Sequence, residues 1–227
     1  MSSIESNSRG SLFPINRVEA LADGVFAIVM TLLVLELSIP VITGSSVNAE
    51  LLRKLLELLP KLLVYILSFI ILGMMWVHHR FMFHYIERSD GKLAWMNIIL
   101  LMFVALIPFA ASLLGEYTNA QVAVAVYGIN ALLTIIMCLI IWIYITGKHE
   151  LADRAIDAEI VIRRKIMYLV GCTLFIIGIG ISFISPIASL YIYGLAVLLA
   201  IIITWRDSHG FLSILFVRIQ GKRKEKM

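Results

Sequence analysis

Residues 17–37 read RVEALADGVFAIVMTLLVLEL. Between Asp23 and Glu36 every residue is apolar except Gly24 and Thr31, and about 20 such residues are what an α-helix needs to cross a bilayer. The stretch is a membrane span with an acid set into each end. An ionised aspartate in hydrocarbon costs about 2.5–3.5 kcal/mol on insertion scales, so Asp23 must face protein or water and find a partner. Arg17 stands six positions earlier, about 120° away around the helix, too far round to serve. The partner has to come from another span.

The rest of the chain supplies the spans. Of 227 residues, 61% are hydrophobic and the mean hydropathy is +0.96, well above a soluble domain. Six apolar segments, near 18–39, 61–80, 93–114, 120–146, 164–184 and 187–205, are long enough to cross. The predicted fold is an all-α polytopic membrane protein with six transmembrane helices. Residues 1–16 form a polar N-terminal segment without the basic end and apolar core of a secretory signal. Residues 17–205 form the transmembrane domain, and 206–227 a basic tail suited either to an anionic lipid surface or to solvent. Residues 40–60 hold a turn and a short amphipathic helix expected to lie along the interface.

Orientation follows from charge. Of the 19 Lys and Arg, sixteen fall in the terminal segments and alternate loops, and three, Arg53, Lys54 and Lys61, on the other side. This bias puts both termini in the cytoplasm and the chain in the plasma (inner) membrane of its cell. The net charge of +4 does not indicate a nucleic-acid partner, because the basic residues are spread over loops and tail instead of forming one patch. Cys138 and Cys172 lie inside apolar runs and read as small buried hydrophobes.

The second span ends Trp76-Val77-His78-His79-Arg80 at the depth of Asp23. Indole and imidazole N–H groups are donors for a carboxylate. Trp76 suits either that bond or interfacial anchoring, while His78 and His79 are expected to make polar contact with the first span. On the helical wheel, with Ile28 at zero, Leu32 falls at about 40°, Leu35 at about 340°, Thr31 at about 300° and Asp23 at about 220°. One face thus carries branched apolar residues with a hydroxyl beside them, and another carries the acid. Such a stripe can face lipid, a neighbouring helix or a pore, and periodicity does not choose among them. Glu36 stands at the outer end, as an interfacial acid or as a mouth that concentrates cations.

Arg17, three residues, then Leu21-Ala22-Asp23, followed by Gly24-Val25-Phe26-Ala27-Ile28 and by Trp76-Val77-His78-His79-Arg80-Phe81, resembles the prokaryotic relatives of the lysosomal potassium channel called transmembrane protein 175. That family's mark is Arg, three residues and Phe-Ser-Asp, so Leu21 and Ala22 depart from it. The resemblance implies a homotetramer in lipid, a central pore lined by the first span, and no re-entrant filter loop. It maps Ile28, Leu32 and Leu35 to the apolar constriction and gate, Thr31 to a hydroxyl layer and Glu36 to the outer mouth. Arg17, Asp23, Trp76, His78 and His79 form the expected structural polar network. The function implied is a cation channel conducting potassium with modest preference over sodium, with K+ as permeant ion and no cofactor, small-molecule substrate or enzymatic activity.

The residues also suggest two other functions. An ion-coupled secondary transporter could use Asp23, but such folds break helices near the midplane and the first span has no proline; Pro108 interrupts the third. A metalloenzyme could use His78, His79 and His84, but spacings of five or six positions make the ligands diverge on a helix and no acid completes a set.

Overall fold

A computed structural model describes residues 14–42, 47–86, 89–147 and 156–204; the basic tail expected at 206–227 lies outside the described residues. The first span is α1 (Ile15–Leu35), 21 residues without interruption, or about 31 Å at 1.5 Å per residue. Pro14 stands before its first residue, where a fixed φ and a missing N–H cost nothing. The amphipathic α2 (Val47–Glu57) buries none of its residues and is laced on its polar side by Lys54–Glu50 and Arg53–Glu57 pairs. A single residue, Leu58, separates it from α3 (Leu59–Phe83), whose first turn holds Pro60.

The third span is two helices, α4 (Gly91–Ala105) and α5 (Ile107–Glu116), meeting at Leu106. Pro108 explains the break, since it cannot donate to the carbonyl four residues back and its ring crowds that turn. Asp90 starts α4 by accepting from the Leu93 amide at 2.8 Å and also accepts from the Tyr144 hydroxyl. The last three spans are α6 (Gln121–Gly147), α7 (Ala158–Ser182) and α8 (Pro186–Thr204). Between α7 and α8 the Ser185 amide donates back to Ile181 at 2.8 Å, and Pro186 opens the next helix, giving a tight hairpin. All six spans are long and apolar enough to cross a membrane.

Helix α1 packs against α3, α4 and α5 through Val18, Ala22, Phe26, Val29 and Leu33, a stripe spaced three or four apart that forms one face. On the far side, α6, α7 and α8 close around Tyr193, which stacks on Phe175 with ring centroids 4.9 Å apart. Gly128 and Gly178 make the slot. A Cβ at Gly128 would stand 2.1 Å from the Tyr193 hydroxyl, and one at Gly178 would stand 2.4 Å from its ring. Gly180 and Gly194 have nothing within 4 Å of where a Cβ would stand.

Candidate functional site

Two features meet on α1. Near its first turns, Trp76 Nε1 of α3 donates to Asp23 Oδ1 at 2.7 Å, a charge-assisted bond. The Arg80 guanidinium lies 5.4 Å from the Trp76 ring centre, holding the indole from the other side. The acid thus finds its partner on the second span, at matching depth. Arg17 is exposed and makes no side-chain bond to Asp23.

For their hydrogen bonds the two histidines turn to other helices than the expected first span. His79 Nε2 is bonded to Asn97 Oδ1 of α4 at 2.8 Å; it stacks on Phe83 and meets α1 at the Phe26 ring, 6.0 Å away between centroids. His78 Nε2 meets Thr204 Oγ1 of α8 at 2.7 Å. The reason is rotation about α3: at 100° per residue, His78 lies about 200° around from Trp76 and His79 about 60°. His78 is thereby carried to the opposite side from Trp76, and α3 distributes its polar groups among α1, α4 and α8. The histidines accordingly converge on no common centre, and the described residues contain no group of three or more His, Cys, Asp or Glu able to hold a metal.

Asn97 and Thr204 were missed by sequence reasoning. The available signal was their isolation, because a lone amide or hydroxyl in an apolar run is costly unless it is bonded.

The second feature is the face of α1 turned away from the bundle. Ile28 is 60% exposed, Leu32 43% and Leu35 73%, and Thr31, Gly24, Ala27 and Glu36 are exposed with them. Thr31 Oγ1 donates to the Ile28 carbonyl at 2.8 Å, so the hydroxyl proton is turned back onto the helix and the oxygen lone pairs face outward. Ala22, one of the two departures from the motif, is wholly buried, and its methyl fills the close contact there. Leu21, the other, is half exposed.

Past Leu35, Glu36 lines a cavity of about 200 Å³ with Lys61, Tyr65, Ser112 and Glu116. Lys61 is paired with Glu116 across α3 and α5. Glu36 is the acid of this group that the pair leaves over.

Six apolar spans, one of them with a continuous unpartnered face and a tethered acid at its base, define a multi-pass helical membrane protein built for transport. The family model for the endosomal/lysosomal potassium channel TMEM175 matches residues 17–108. A potassium channel of Streptomyces collinus is 33% identical over 186 residues, covering 80% of this chain and 89% of that one. The crystal structure of a lysosomal potassium-selective channel TMEM175 homologue from Chamaesiphon minutus is 32% identical and superposes with a TM-score of 0.72, over 85% of this chain and 97% of that one. The Gallus gallus endosomal/lysosomal proton channel TMEM175 is 35% identical over 108 residues, 45% of this chain but 22% of that protein. The chain belongs to the TMEM175 family, and is an ion channel, not an enzyme.

Proposed function

We propose that the chain is a potassium-permeable cation channel of the plasma membrane, assembled as a homotetramer with α1 of each subunit around a central axis and both termini in the cytoplasm. The observation that carries this reading is the one-sidedness of α1. Val18, Ala22, Phe26, Val29 and Leu33 are buried within the subunit, while Ile28, Thr31, Leu32 and Leu35 are left for something outside it. The relatives named as potassium channels suggest that this something is a pore.

In that arrangement Ile28, Leu32 and Leu35 form stacked apolar rings. A continuous helix spends its carbonyls on its own backbone bonds, so these rings cannot replace an ion's water shell as a carbonyl filter does, and the neck closes by dewetting. Thr31, with its proton committed to Ile28, presents only lone pairs to the axis. It therefore offers a cation an oxygen contact and an anion nothing. Glu36 at the outer mouth raises the local cation concentration. The Asp23–Trp76 bond sets the rotation of α1, and so which side chains reach the axis.

The test is planar-bilayer recording of the purified protein beside Ile28→Asn and Leu35→Asn. An amide in the neck holds water where a branched alkyl group expels it, so Ile28→Asn should raise both open probability and sodium leak. Currents unchanged in both variants would remove the gate from these rings.

A further inference from the structure

On the flank of α3 turned away from Trp76, a cavity of about 50 Å³ lies between α3, α6, α7 and α8. Its wall is apolar, with Ile71, Met75, Cys138, Met167 and Val197 among the lining residues, and it carries two hydrogen-bonding side chains with capacity left over, His78 and Tyr168. Neither the pore reading nor the packing of α1 uses it.

Tyr168 is 4% exposed, and its hydroxyl has no hydrogen-bond partner among the described residues. His78 has one. Its Nε2 faces Thr204 Oγ1 at 2.7 Å, while Thr204 spends its own proton on the Ala200 carbonyl, also at 2.7 Å. A hydroxyl has one proton. With that proton on Ala200, the pairing that satisfies both groups has His78 Nε2 donating to Thr204, which leaves Nδ1 to accept. The cavity lining therefore includes a phenol donor without an acceptor and an imidazole able to accept. The two rings stand edge to face with centroids 6.0 Å apart, near enough for one small molecule to reach both.

We propose that this cavity is a hydration site, in which a water accepts from the Tyr168 hydroxyl and donates to His78 Nδ1. A water needs about 10–15 Å³ of such space and two to four polar partners, so the cavity admits one to roughly four waters, and the two side chains fix the first. The water ties α7 to α3 beside the direct His78–Thr204 bond to α8. Helix α3 then grips α1 through Trp76 on one flank and the α7–α8 pair through His78 on the other, so any shift of α1 that moves α3 has to rearrange this joint.

The experiment uses the full chain in detergent. Tyr168→Phe keeps the ring and removes the hydroxyl. If a water holds that hydroxyl, the substitution strands the water and lowers the thermal midpoint by a few degrees; if the cavity is dry, it deletes an unsatisfied polar group and raises the midpoint. X-ray hydroxyl-radical footprinting gives a second reading that does not need the variant to fold. A bound water generates radicals in place, so Tyr168, Met75 and Met167 of the unmodified protein should be oxidised despite the distance from bulk solvent. A midpoint that stays level or rises in Tyr168→Phe, or an unmodified protein with none of the three side chains labelled, overturns the proposal.

Discussion

Trp76→Phe isolates the bond that orients α1. The substitution keeps an aromatic ring beneath Arg80 and against α1, and removes one N–H. That N–H donates to Asp23 at 2.7 Å, and a hydrogen bond to a charged group contributes about 1.5–3 kcal/mol. Asp23 and Trp76 are both half-buried, so solvent screening places the loss at the lower end, about 1.5–2 kcal/mol. For a chain of this size each kcal/mol moves the midpoint by about 2–4 °C, giving an expected fall of about 3–8 °C in Tm. Fluorescence-detected size exclusion after heating reads that fall. Asp23→Asn keeps an acceptor and removes the charge, so it should cost less than Trp76→Phe. The double variant should lose less than the two single losses added together, because both remove one shared bond. Bilayer recording of the surviving channels should give a potassium-to-sodium permeability ratio close to that of the parent. A midpoint within one degree of the parent, with an altered permeability ratio, would refute the reasoning and put Trp76 on the permeation path.

Gly178→Ala places a methyl 2.4 Å from the Tyr193 ring and should destabilise by about 1–3 kcal/mol through overpacking; a chain that also carries Tyr193→Leu should recover part of the loss in the same thermal assay. Glu36→Gln should lower single-channel conductance at about 10 mM salt and have little effect near 1 M, where the Debye length shrinks from about 30 to 3 Å. Thr31→Val keeps the shape and removes the oxygen, so the potassium-to-sodium permeability ratio from reversal potentials should fall while the neck still closes.

The spans were legible in the sequence because the bilayer imposes a local demand: about 20 apolar residues in a row satisfy it wherever they occur, and Pro108 and Ser185-Pro186 mark the break and the tight turn by their own backbone chemistry. The need of Asp23 for a partner was legible on the same ground, since the cost of burying a charge does not depend on fold, and the second span offered donors at that depth. Which donor answered was decided by the tertiary structure. Trp76, His78 and His79 are neighbours in sequence but point to three different helices, and their partners Asn97 and Thr204 lie 18 and 126 positions from the histidines they meet. The Tyr193 slot and the cavity beside His78 have the same origin. Hydropathy sets how deep each helix sits, but the rotation of each helix about its own axis is set by side chains meeting from distant parts of the chain, and that angle determines which atoms touch.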